Sequence, residues 1–354
     1  MTSPIARATS GSQQVQTESR GAAGAVVAVL MILLGALAAA IALADDDSPP
    51  VGPGPDTYVG LGAGPATVWG SAPTFVSPRA VTADGLGVWV ANPVAGSTSR
   101  IDPELLVVTD SVAVAGAPVD VASAGGKVWV VALDSSVLVR IDGLAEGADA
   151  TVDLPAGPNA VAATDEAVWV TSGTAGTLSR VDPETLEVTT VELGARPWGV
   201  AVGNDAVWVA VPNEGDVPAE VWKVDLATLD VLERTEVEGR PHSLAVGAGY
   251  VWVAGDRSNA LTRLDERTGE IVDQLTHRNN PRVVSIAGGH VWVLYATNGI
   301  LAKLDPGSGT ELAAVQPGTD PIDVAAMPDG TAWVATAGGN GAYGGRVALI
   351  GPAQ

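Results

Sequence analysis

A tryptophan in the setting [VA]-W-V returns through this chain at a nearly fixed step. It stands at Trp89, Trp129, Trp169, Trp208, Trp252, Trp292 and Trp333, with intervals of 40, 40, 39, 44, 40 and 41 residues. A proline keeps the same beat ahead of it, at Pro78, Pro118, Pro158, Pro197, Pro241, Pro281 and Pro321. A basic residue follows in each copy: Arg100, Arg140, Arg180, Lys223, Arg263, Lys303 and Arg346. The unit reads P-x-x-[VL]-[AST], a short polar turn, [VA]-W-V, a variable loop, then [RK]-x-D in most copies. Repeats of about forty residues made of four short strands are the signature of a radial array of sheets, so seven copies predict an all-β, seven-bladed β-propeller.

A helical repeat is excluded by the segments themselves. They are four to six residues long, rich in Val, and bounded by Gly, Asp, Asn and Pro, which is strand chemistry and not a 3.6-residue period. The third copy shows four strands: Ala160 to Ala162, Ala167 to Val170, Leu178 to Val181 and Glu187 to Val191. Continuous apolar runs such as Val128-Trp129-Val130-Val131 suit strands buried on both faces. The in-phase tryptophans are therefore expected in the core between blades.

Asp102, Asp142, Asp182, Asp225, Asp265 and Asp305 fall where the third strand turns into the fourth, three of them before Pro. A carboxylate there accepts from its own turn amides while Pro presets the next φ, so these are turn residues and not a cation site. The seventh copy ends at Gln354 before any fourth strand, with Ala348 at the Asp position. An open edge is unfavourable. Ala66-Thr67-Val68-Trp69, ahead of the first Pro, is expected to supply the missing strand and close the ring, placing the propeller at residues 66 to 354.

Residues Gly21 to Ala44 carry no charge over 24 residues. At about 1.5 Å per residue such a helix covers the roughly 30 Å hydrocarbon layer. Arg7 and Arg20 precede it, and Asp45-Asp46-Asp47 with a Pro/Gly stretch follow. The positive-inside rule then gives a cytoplasmic tail at 1 to 20, a transmembrane signal anchor at 21 to 44, a linker at 45 to 65 and a propeller facing outside the cytoplasm. The alternative is secretion after cleavage near Ala44, because Ala42-Leu43-Ala44 has the small-x-small form. The formal charge of −22 resides almost wholly beyond the apolar segment and excludes nucleic acid as a partner. With no cysteine in the sequence, disulfides, thiolate metal sites and cysteine nucleophiles are excluded.

The seven copies differ most at the residue after the Pro: Arg79, Val119, Asn159, Trp198, His242, Arg282 and Ile322. Asp120 and Asp323 follow one position later in two copies, whereas the next position is always Val or Leu. Strand alternation puts the start of the first strand and the end of the second on one rim, around the mouth of the central channel. The candidate ligand-binding set is accordingly Arg79, Asp120, Asn159, Trp198, His242, Arg282 and Asp323, a polar pocket for an anionic or hydrogen-bonding partner. Asn92, Asp134, Arg257, Asn259, Tyr295 and Asn298 are expected on the same rim. Catalytic signatures are thin. Of three His, only His242 reaches the rim, no H-x-x-x-H pair exists and no P-loop lysine follows the Gly-rich stretches.

The P-x-x-[VL]-A, V-W-V-A and R-[IV]-D-P elements resemble the YVTN/NHL group of propeller repeats, which includes virginiamycin B lyase-like proteins, over residues 66 to 354. The resemblance implies the fold and a range of activities from binding modules to lyases and lactonases. Lyase-like members end the second strand in W-F-T-E, with metal-binding and catalytic Glu and His on the rim. Here the third residue after each Trp is Asn92, Ala132, Ser172, Val211, Gly255, Tyr295 or Thr336. No metal, cofactor or catalytic residue is assigned. The expected function is a membrane-anchored recognition or scaffold module for an extracytoplasmic protein, glycan or small molecule. The alternative is a lyase or lactonase-like hydrolase using His242 with Asp120 or Asp323.

Overall fold

The computed structural model describes residues 66–74, 77–85, 87–143, 147–212, 217–338 and 345–352. The expected tail, membrane span and linker at 1–65 lie outside the described residues. Among the described residues no helix is long and apolar enough to cross a membrane, and every regular element is a strand. The strands form seven four-stranded antiparallel sheets. In the third, the strands run Pro158–Ala163, Val168–Ser172, Thr177–Val181 and Val188–Glu192, within two residues of their expected places.

All seven repeated tryptophans are at most 2% exposed. Each lies on the second strand of its blade and packs across to the next sheet. Trp89 meets Val121, Val128 and Val130 of the second blade, and Trp333 of the last blade meets Val81, Val88 and Val90 of the first. Burying an indole here removes a large apolar area from water and fills a gap no aliphatic side chain spans.

The in-phase basic residue has a cause that spacing alone does not reveal. Register pairs Trp89 with Arg100, Trp129 with Arg140, Trp169 with Arg180, Trp208 with Lys223, Trp252 with Arg263 and Trp292 with Lys303. In each pair the cation lies 5.2 to 5.9 Å from the indole centroid. Four of these cations also reach the following blade. Arg140 donates to the carbonyl of Pro183 at 2.8 Å, Lys223 to that of Arg267 at 2.6 Å, Arg263 to that of Gly307 at 2.9 Å and Lys303 to that of Gly330 at 3.1 Å. The residue is thus a clamp, apolar along its stem and charged at the seam.

The seventh copy departs from the expected alignment. Trp333 pairs with Leu349, while Arg346 lies opposite Thr336 and donates to Ser71 Oγ at 2.9 Å. Arg346 is therefore not equivalent to the other six cations, and Ala348 is not the Asp position. The insertion before this strand shifts its register, which counting from the sequence cannot show.

Closure follows the expected route. The strand Ala66–Pro73 pairs antiparallel with Arg346–Pro352, from Ala66 opposite Pro352 to Pro73 opposite Arg346. Trp69 donates its indole N–H to the Pro352 carbonyl at 2.9 Å and covers Gly351, where a side chain would collide with the ring. The two ends of the described region thus share one sheet.

Asp102, Asp182, Asp225, Asp265 and Asp305 each accept a backbone N–H three residues on, at 2.7 or 2.8 Å. These amides hold the carboxyls of Asp182, Asp225, Asp265 and Asp305 below their usual range. Asp142 differs, forming an ion pair with Lys127 at 2.9 Å. Outer strands carry bulges where Arg100, Arg140, Lys223, Arg263 and Lys303 give way to the next residue. Such irregularity blunts an exposed edge.

Candidate functional site

The innermost strands surround the channel, and their geometry explains why one position varies freely. In five blades the register slips between the Pro and the second residue after it, so Val119, Asn159, His242, Arg282 and Ile322 are bulged residues without a partner. A bulge turns its side chain out of the sheet's alternation. Just ahead of the Pro, Ser77, Ala117, Asn280 and Asp320 hold φ at 55°, 58°, 61° and 50°. Left-handed conformations of this kind are strained for non-glycine residues and concentrate at sites where direction matters. In the other two blades the amides of Arg79 and Trp198 bond the carbonyls of Ala91 and Ala210, both at 2.8 Å.

All seven of these side chains line one cavity of about 530 Å³ at the channel mouth. Asp120 and Asp323 line it too, so the seven candidate residues are brought together. Their roles differ. Asn159 is committed to the scaffold, donating to the Trp198 carbonyl at 2.6 Å and accepting from Gly173 N at 2.8 Å. Trp198 itself remains 42% exposed. Behind it, Gly199 lies so near the next blade that a side chain would strike the His242 carbonyl.

The two aspartates staple blades together. Asp120 accepts from its neighbour Val121 N at 2.9 Å and from Val161 N of the next blade at 2.8 Å. Asp323 accepts from Val81 N across the closing seam at 2.8 Å. Ser243 does the same for Val284 N at 3.1 Å. Each serves an inner-strand N–H that would otherwise lack a protein partner. Burial, followed by the Asp323 charge, pushes the Asp120 carboxyl up to about 7. Burial likewise pushes Asp323 up to about 6, opposed by its amide bonds and then by Arg79 and Arg282. Burial draws His242 down to about 4, helped by Arg282, Arg79 and Arg240 and opposed by Asp256. At neutral pH its imidazole is uncharged, with one nitrogen to give and one to accept.

Sequence spacing missed part of the lining. Arg240, Asp256 and Asn280 join the cavity, and Arg240 approaches Asp256 at 3.8 Å. Arg240 and Asn280 precede the repeated Pro in two copies, a position that could have been scanned as the following one was. Of the six further rim expectations, two are overturned. Asn92 is fully buried and donates to the Val90 carbonyl and Ser99 Oγ at 3.0 and 3.1 Å. Tyr295 is 1% exposed within the core between the fifth and sixth blades, and burial raises its phenol well above the ordinary value. The third position after Trp is buried in all seven copies because the second strand faces sheets on both sides. Asp134, Arg257, Asn259 and Asn298 are exposed and do not line the cavity. Among the described residues no group of three or more His, Asp or Glu is placed to hold a metal ion.

No family model matches the sequence, and no curated protein matches it. Similarity appears at the level of solved structures. Hydrazine synthase of Kuenenia stuttgartiensis superposes with a TM-score of 0.65 at 15% identity, covering 75% of this chain and 94% of that one. The Pan2 WD40 domain of Neurospora crassa gives 0.67 at 9% identity, covering 83% of this chain and 97% of the other. At such identities the likeness concerns the fold alone: this chain is a seven-bladed β-propeller.

Proposed function

We propose that the chain is a membrane-anchored, extracytoplasmic recognition module of the YVTN/NHL-like kind, which holds its ligand at the mouth of the channel. The observation that carries this is the convergence of the seven least repetitive side chains on one cavity of about 530 Å³, a size ordinary for small-molecule sites. The second strand of each unit is constrained by packing on both faces, whereas the residue after the Pro reaches the cavity in every copy. The apolar segment Gly21 to Ala44 supports the anchor, and the three aspartates after it support export of the propeller.

The enzyme alternative draws on His242, neutral at pH 7, and on the raised carboxylates of Asp120 and Asp323. Both carboxylates, however, are engaged by backbone amides, a duty that favours a scaffold role over proton transfer.

To test the module, a chemically mixed small-molecule set is titrated against full-length chain in detergent. A plugged variant, Ile322→Trp, is run beside it. Ligands that raise the melting temperature of the wild type and not of the plugged form are expected. Ligands indifferent to the plug would place recognition elsewhere on the disc. Protease digestion of intact cells addresses the address: a propeller protected from external protease rejects export.

A further inference from the structure

Resting on that binding role, we infer that the cavity takes a carboxylate-bearing saccharide, a uronate-type ring gripped by Arg79 and Arg282 and laid against Trp198. The first ground is charge. In a chain of formal charge −22, three arginines, Arg79, Arg240 and Arg282, line this one cavity beside three aspartates, Asp120, Asp256 and Asp323. Arg240 is balanced by Asp256. The side chains of Arg79 and Arg282 make no hydrogen bond or ion pair with the described residues. Asp120 and Asp323 are hydrogen-bonded to Val161 N and Val81 N and meet the arginines only through space, Arg79 acting on both carboxyls and Arg282 on that of Asp323. Two unpaired guanidinium groups facing one space form a carboxylate receptor, because the planar fork matches the two carboxylate oxygens.

The second ground is the aromatic face. Eight of the ten tryptophans are buried, and Trp69 is spent on closure. Trp198 is the one exposed tryptophan among the residues that line the cavity. Its large flat surface suits the C–H face of a pyranose, which would leave the hydroxyls pointing to polar walls. Those walls are His242, uncharged and able both to donate and to accept, and Asn280. A purely aromatic acid would want apolar walls on both sides. A free phosphate would have no use for the indole.

The test uses full-length chain in detergent with D-glucuronate, D-glucose, benzoate and inorganic phosphate as probes, read by saturation-transfer NMR and calorimetric titration. Glucuronate is expected to bind at least about 10-fold more tightly than glucose. Arg79→Gln and Arg282→Gln should each weaken it by about 10- to 100-fold, the loss of one charge-assisted hydrogen bond. Their melting temperatures should stay unchanged, and Trp198→Ala should weaken glucuronate and glucose alike. Equal affinity for glucuronate and glucose, preference for benzoate or phosphate, or retention of glucuronate by both Arg variants would overturn the assignment. A neutral ligand blocked by Ile322→Trp, with glucuronate silent, would overturn the acid-sugar assignment while leaving the recognition role standing.

Discussion

Replacing Arg263 by Met is the sharpest test of how the blades are fastened. Arg263 is 4% exposed, stacked 5.2 Å from the Trp252 centroid and 4.7 Å from that of Tyr250. It is hydrogen-bonded to Asp273 and to the carbonyls of Pro306 and Gly307 in the next blade. Methionine keeps most of the stem's apolar contact but none of the charge. The cation–π term contributes about 0.5–1 kcal/mol, and a hydrogen bond to a charged group about 1.5–3 kcal/mol. The Asp273 side chain is 37% exposed and regains water, so its ion pair adds little. The expected loss is therefore about 2–4 kcal/mol. Arg346→Met is the control, since the exposed Arg346 side chain donates to Ser71 Oγ and stands opposite Thr336 and not Trp333. A loss of at most about 1 kcal/mol is expected there. Urea unfolding followed by tryptophan fluorescence reads both in one buffer. Equal losses, or a loss below about 1 kcal/mol at Arg263, would refute the clamp.

Three further outcomes follow from the staples and the closing strand. Folding raises the carboxyls of Asp120 and Asp323 from 3.8 to about 7 and about 6. Their contribution to stability is thus complete below about pH 4 and is lost as pH rises through 6 to 7. The melting temperature should fall between pH 5 and 8, and fall less in Asp120→Asn, by calorimetry; a parallel fall in both proteins would exclude Asp120 as the titrating group. Arg79 acts on both carboxyls and Arg282 on that of Asp323, so glucuronate affinity should rise toward pH 5 as the negative charges disappear. Deleting residues 66–73 from the full chain removes the strand that pairs with Arg346–Pro352. About seven ladder bonds at roughly 1 kcal/mol each, and about 2 °C per kcal/mol in a domain of this size, give a drop of at least about 10 °C. An unchanged melting temperature would reject closure by this strand.

The architecture was legible because it is written seven times. A single V-W-V segment fits any buried strand, but seven in phase with Pro ahead leave one arrangement. The closing strand was legible by subtraction: the last copy lacked its outer strand and the residues before Pro78 had strand character. Arg346 was misread because an insertion within a repeat moves register without altering composition. Asn92 and Tyr295 were misread for a related reason, since a polar residue at a strand end looks like a rim residue until its neighbours on both faces are known. The variability after the Pro was visible, but its cause, a bulge, depends on hydrogen bonding between strands and leaves no local residue signal. The pairing of indole and cation was visible as two separate periodicities, linked only by cross-strand register.

The acidity of the cavity at the channel mouth invites a catalytic interpretation, and one substitution separates that from a structural one. An inner strand at a blade seam presents an N–H that the neighbouring sheet does not pair. Asp120, Asp323 and Ser243 each bring an oxygen to it from the preceding blade. A hydroxyl performs the same task as a carboxylate at one of these seams, so the charge is incidental to the bond. If the aspartates are staples, Asp323→Ala leaves Val81 N unsatisfied and costs about 1–3 kcal/mol. It also removes a negative charge close to Arg79 and Arg282, so an anionic ligand should bind more tightly while the protein becomes less stable. A carboxylate that held or transformed the ligand would give the opposite, weaker binding or lost turnover at unchanged stability. Measuring melting temperature and glucuronate affinity on the same preparation decides between them: the two quantities must move in opposite directions, and a fall in both would return the carboxylates to the site's chemistry.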